Sequence, residues 1–195
     1  MHITRTMQAR TETFKYAFLP YINNILINRR KNMREGISEK ELAFISVLEL
    51  KKKYFFTLNE ISSFFKNANE RGVYVHRLRK KRRIIKLNRH KYFLVPIKAP
   101  NSNWSEHPFI LIDEIMDGKN YCIVGTASAN YWKLSEQIPQ VFEVWNNRKH
   151  KIINIFNAII CFKKHKLSDL PKSEKRQIHG HSFIIASKEE SRRWK

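Results

Sequence analysis

A dense run of cations, Arg77, Arg79, Lys80, Lys81, Arg82, Arg83 and Lys86, continues through Arg89 and Lys91. Ammonium and guanidinium groups at this density suit phosphate oxygens, and the planar Arg fork also matches a guanine edge. Just ahead lie Asn69 and His76, and an Asn side chain can pair bidentately with adenine. Wound at a helical period, Asn69, Val73, His76, Arg77 and Lys80 share one side, while Tyr74, Val75 and Leu78 share the other. The chemistry on offer is nucleic-acid recognition. Asn69, His76, Arg77 and Lys80 are the candidates for base edges, and Lys81, Arg82, Arg83, Lys86, Arg89, His90 and Lys91 for the DNA backbone.

Other chemistries have less material. Asp113, Glu114 and Asp117, with the lone Glu143, are the best acidic candidates for a metal-dependent nuclease, yet their spacing completes no metal triad. Acids on one helix face more often serve solvation. Cys161, His165, His179 and His181 could be gathered around zinc, with His179 and His181 on one face of a strand, but the spacing is unlike the common finger patterns. The five glycines are too scattered for a phosphate loop, and Gly125-Thr126-Ala127-Ser128 lacks the Gly-Lys-Ser/Thr of a Walker motif. The expectation is therefore no catalytic residue, no metal and no cofactor.

Composition points the same way. The 195 residues carry 38 Lys and Arg against 17 Asp and Glu, a formal charge of +21, so a polyanion is the natural partner. The two cysteines, Cys122 and Cys161, each sit in an apolar run, as reduced core thiols of a cytosolic protein do. Met1 to Arg10 is polar, the apolar stretch Tyr16 to Ile27 is broken by Pro20, and nothing approaches the roughly 18 apolar residues of a membrane span. A soluble, cytoplasmic protein with no membrane partner is expected.

The elements that must position the cations follow from capping and periodicity. Phe14, Phe18, Ile22, Ile25 and Leu26 suggest an amphipathic helix interrupted at Pro20. Ser38 and Glu41 form a capping-box signature ahead of Leu42, Ile45 and Leu48, predicting a helix over 39–52 closed by Lys51, Lys52 and Lys53. Thr57 and Glu60 repeat the box before Ile61, Phe64 and Phe65, predicting a short second helix that ends at Lys66-Asn67. A third helix runs from near Asn69 to about Lys81. Ile84, Ile85 and Leu87, then Tyr92 to Val95, flank the polar tip Asn88-Arg89-His90 as a β-hairpin. Helix, short helix, turn, helix and basic hairpin is the order of a winged helix-turn-helix, whose third helix fits a major groove about 12 Å wide.

Pro96, Pro100, Asn101-Ser102-Asn103 and Pro108 then break the periodicity. Beyond them the pattern predicts a helix or strand over 110–116, a strand over 121–124, a short helix over 126–134, a strand over 141–145, and a hairpin from 152–156 and 159–162. The expected class is α+β: a helical extension over 1–37, a winged helix-turn-helix over 38–96, a linker over 97–108 and a small α+β domain over 109–195. Tyr54, Tyr74, Tyr92 and Trp104 keep an RNA-binding alternative open, through stacking on unpaired bases.

Two segments resemble the AbiE-type antitoxins of type IV toxin-antitoxin systems. One is Thr57-Leu58-Asn59-Glu60-Ile61 through Val75-His76-Arg77-Leu78 to Lys91-Tyr92-Phe93-Leu94. The other is Tyr121-Cys122-Ile123-Val124-Gly125-Thr126-Ala127-Ser128-Ala129, followed by Tyr131-Trp132, Leu134, Gln137-Ile138-Pro139 and the strand Val141 to Trp145. Together they span about residues 40–165. The resemblance implies an N-terminal winged helix joined to an α+β domain and autorepression of a two-gene operon. It also implies a nucleotidyltransferase-like toxin as functional partner, without obligatory direct binding. Arg82, His90 and Lys133 stand where the family tends to have glycine. Ile184 to Glu190 resembles a segment that leads into further helix in the family, whereas this chain stops at Lys195.

Overall fold

The computed structural model describes residues 36–99 and 104–195. The amphipathic segment 11–30 and the patch Pro100 to Asn103 lie outside the described residues. The chain divides into two compact units, 1–43 and 44–195, and the first helix, α1 (Glu39–Leu50), runs across that boundary. Its start is the capping box: Ser38 N donates to Glu41 Oε2 at 2.8 Å, and Glu41 N to Ser38 Oγ at 3.4 Å.

The larger unit is a mixed α+β structure with two sheets. After α1 come β1 (Phe55–Thr57), a single 3₁₀ turn over Ser62–Phe64, α2 (Ala68–Lys80), β2 (Ile84–Lys86) and β3 (Lys91–Leu94). The three strands form an antiparallel sheet in the order β1-β3-β2. Phe44, Ile45, Leu48, Phe56, Ile61, Val75, Leu78, Ile84 and Leu94 are buried here. The Thr57/Glu60 box forms, with Thr57 N donating to Glu60 Oε2 at 2.6 Å, but the helix expected after it is only the 3₁₀ turn. Ser62 Oγ bonds back to Asn59 O at 2.7 Å, giving the backbone a local partner in place of a longer helix.

The remaining elements are α3 (Pro108–Met116), β4 (Tyr121–Val124), α4 (Gly125–Tyr131), β5 (Val141–Asn146), β6 (Lys151–Ile155), β7 (Ala158–Lys164), a 3₁₀ turn over Leu167–Asp169, β8 (Ser173–Ile178), β9 (His181–Ala186), a turn of helix, α5 (Lys188–Ser191), and a 3₁₀ turn over Arg192–Trp194. They build a six-stranded mixed sheet in the order β6-β7-β5-β4-β9-β8. One apolar cluster joins Leu87, Phe93 and Val95 to Phe109, Leu111, Ile115, Ile123, Phe162 and Phe183, so the small and large sheets share a core.

Four helices, α1 to α4, end alike. Lys52, Arg82, Asp117 and Lys133 are left-handed, with φ of 52°, 57°, 58° and 56°. In each case the next amide reaches back to the helix: Lys53 N to Leu48 O, Arg83 N to Leu78 O, Gly118 N to Asp113 O, and Leu134 N to Ala129 O. This is the Schellman closure, which normally uses glycine. Arg82 and Lys133 thus hold a backbone conformation that glycine adopts without steric cost.

The hairpin β8–β9 was not anticipated. β8 is Ser-Glu-Lys-Arg-Gln-Ile on the sheet edge, mostly exposed, with no apolar alternation to betray it. Its turn, His179-Gly180, has φ of 51° and 81°, the positive pair of a two-residue hairpin turn. His179 and His181 therefore do not share a strand face, because His179 is in the turn and His181 opens β9.

Candidate nucleic-acid interface

Local sequence explains why α2 stands where it does. Asn67 caps it, accepting from Glu70 N at 2.8 Å, while Glu70 reaches back to Lys66 N at 2.7 Å. Val75 and Leu78 anchor the inner face, and Arg77, Arg79 and Lys80 occupy the last turn, where cations favour the negative end of the helix dipole. Asn69, Gly72, Val73, His76, Arg77 and Lys80 are exposed. Ala68, Asn69, Gly72, Val73, His76 and Arg77 line one shallow depression. Asn69, His76 and Arg77 are thus brought together, with Lys80 one turn beyond.

The cations after α2 divide into two groups. Arg82, Lys86, Arg89 and His90 are exposed. Lys86 Nζ lies 6.0 Å from the centre of the Tyr92 ring. Lys81 is half-buried at the helix end. Arg83 turns inward, donating from Nη1 to Pro96 O at 3.0 Å. Lys91 also has intramolecular partners: its Nζ lies 2.6 Å from Glu114 Oε2 and 3.7 Å from Asp117 Oδ1. Burial opposes the charge on Lys91, yet these acids hold its ammonium above the usual lysine range.

The acids considered for catalysis are occupied. Asp113 accepts from Tyr121 Oη at 2.7 Å, and burial raises its carboxyl above the usual range against that hydrogen bond. Tyr121 Oη in turn accepts from Ile184 N, so the tyrosine ties α3 to β9. Glu143 is 2.9 Å from Lys163 and accepts from Trp145 Nε1. Among the described residues no group of three His, Cys, Asp or Glu side chains could hold a metal ion. His165 stacks on Trp145 with ring centres 4.2 Å apart, and His181 packs against Phe55. Burial first, then the charge of Glu190, raises the Cys122 thiol to about 12, which leaves it un-ionised at neutral pH. Tyr92 stacks on Phe56 and Trp104 on Phe93, so the aromatics considered for base stacking pack internally.

No protein-family model matches this chain, and no curated protein matches it. Among the described residues no helix is long and apolar enough to cross a membrane.

Charge separates the two parts of the large unit. Residues 44–99 hold fifteen Lys and Arg against three Glu, a net +12, while residues 104–195 hold fifteen against ten acids, a net +5. Sequence reasoning missed Asn88, Glu114 and Asp117 as partners of the β2–β3 turn. Asn at the start of a four-residue turn was the available signal, since its side chain readily accepts from the amides that follow.

Proposed function

We propose that this chain is a sequence-specific, duplex-DNA-binding transcriptional repressor that docks α2 in a major groove. The observation that carries the reading is the division of α2: Val75 and Leu78 are buried, while Asn69, His76, Arg77 and Lys80 are exposed together on a helix leading into a basic hairpin. An α-helix fills a major groove, its N-terminal side chains meet base edges, and flanking cations meet phosphates. The order α1, β1, 3₁₀ turn, α2, β2, β3 and the sheet order β1-β3-β2 support reading residues 38–96 as a winged helix-turn-helix.

Asn69, His76, Arg77 and Lys80 are assigned to bases, and Lys81, Arg82, Lys86, Arg89 and His90 to the backbone. Arg83 and Lys91 are engaged with Pro96 O and with Glu114 and Asp117, so they are assigned to holding the hairpin and not to phosphate. The resemblance to AbiE-type antitoxins extends the reading to an autorepressor in the cytoplasm, opposing a nucleotidyltransferase-like toxin without obligatory direct contact. The internal packing of Tyr92 and Trp104 favours duplex over unpaired RNA.

The test is fluorescence anisotropy with the DNA immediately upstream of the protein's own reading frame, against random duplex and single-stranded RNA of equal length, across several salt concentrations. Tighter binding to the upstream duplex, falling with salt at about 0.9 per neutralised phosphate, is the expected result. Equal or tighter binding to RNA overturns it.

A further inference from the structure

The β2–β3 turn is tethered to the end of α3 by more bonds than a surface turn needs. Asn88 is the hub. Its Oδ1 accepts from His90 N and Lys91 N, each at 2.8 Å, which shapes the turn from inside. Its Nδ2 donates to Glu114 O and Ile115 O, each at 3.2 Å, and to Asp117 Oδ1 at 3.0 Å. These carbonyls end α3, where backbone acceptors lack partners within the helix. Lys149 Nζ also donates to Ile115 O, and Arg148 to Met116 O, so the helix end is held by side chains from elsewhere in the fold. The Lys91–Glu114 ion pair adds a second tether beside Asn88.

The tether leaves Arg89 and His90 exposed at the apex, while Lys91 is neutralised below them. β2 and β3 have three and four residues, and a ribbon so short holds its tip weakly on its own. Ordering a long cationic side chain and its loop on binding costs entropy, which a tether removes beforehand.

We propose that Asn88 and Glu114 are positioning residues for duplex recognition. They fix the β2–β3 turn so that Arg89 meets a backbone phosphate beside the α2 site, and through them the larger sheet's module acts on DNA without touching it. The proposal rests on the duplex reading above.

The experiment uses the full chain and the upstream duplex, with Arg89→Ala, Glu114→Gln, their double variant, and Lys91→Gln, each checked for folding by thermal unfolding. Arg89→Ala is expected to weaken binding about tenfold and to lower the salt slope by about one phosphate's share. Glu114→Gln and Lys91→Gln break the same tether from opposite sides, and each should weaken binding about fivefold with a reduced slope. The double variant should bind no more weakly than Arg89→Ala alone, to within about twofold, because both changes remove one contact.

Full additivity of the two losses overturns the proposal. So does tighter binding by Glu114→Gln, which would mean that a freed Lys91 simply adds charge, and so does unchanged binding by Lys91→Gln. If the unmodified chain shows no duplex preference, the duplex reading falls and this proposal with it. If it binds the duplex and the losses add, only the positioning role falls.

Discussion

Helices α2 and α3 are built from contrasting material: α2 carries Arg71, Arg77, Arg79 and Lys80, whereas α3 has no cation and is mostly apolar. α2 has 13 residues and buries only Val75 and Leu78, whereas α3 has 9 and buries Phe109, Ile110, Leu111, Ile112, Ile115 and Met116. Both helices close their own ends: α2 through Asn67, Glu70 and the Schellman closure at Arg82, and α3 through His107 Nδ1, which accepts from Phe109 N, through Pro108 in its first turn and through the same closure at Asp117. What α3 adds is its surroundings: a mostly buried body, and Asn88, Arg148 and Lys149, which satisfy its last carbonyls. With only two buried side chains α2 draws little stability from packing, so its caps carry more of it. The difference between them can be measured.

The largest contrast is in stability. Ile110→Ala should cost about 2–5 kcal/mol in chemical denaturation, through lost burial and the cavity left behind, while His76→Ala on α2 should cost under about 0.5 kcal/mol. Comparable losses would erase the distinction. Binding should reverse the order: Arg77→Ala should lose about 1–3 kcal/mol on the preferred duplex if it grips guanine, with thermal unfolding nearly unchanged. An equal loss on random duplex would reassign Arg77 to phosphate.

Next comes pH. Burial first, and then the charge of His179, lowers the His107 imidazole below its usual range. Between that lowered value and about 6.5 the unfolded chain binds more protons than the folded one, so stability rises with pH across this window and is lost on acidification. The slope should stay below about 1.4 kcal/mol per pH unit, the one-proton limit, and His107→Asn, which keeps an acceptor at the cap, should flatten it. An unchanged slope would remove His107 as its source. A small gain is expected at Gly72: an added Cβ there meets nothing within 4 Å, so Gly72→Ala should stabilise α2 by about 0.5–1 kcal/mol in thermal unfolding. A loss of stability instead would show that the α2 backbone needs glycine at this point.

What could be read beforehand followed local rules. Ser38/Glu41 announced a helix start, and the apolar runs at 121–124 and 141–145 announced strands, because these signals depend on neighbours in the chain; Thr57/Glu60 formed its box without the helix expected after it. β1 was too short to show a period, and β8 lies exposed on an edge with no apolar face. The division of α2 into inner and outer residues was legible from the spacing of Tyr74, Val75 and Leu78, of which Val75 and Leu78 are buried and Tyr74 is half-buried. The tether between Asn88 and Glu114 was not, since it joins residues 26 apart through backbone carbonyls that side-chain types do not reveal.

The left-handed cations Lys52, Arg82 and Lys133 have an evolutionary corollary. Each bears a conformational cost of about 1–2 kcal/mol that glycine would not. At these three sites, then, heat resistance and positive charge are traded against each other. A library selected only for survival of heating should drift to glycine at all three. One selected for grip on a polyanion should refuse glycine at 82, beside the exposed face of α2, and accept it at 133.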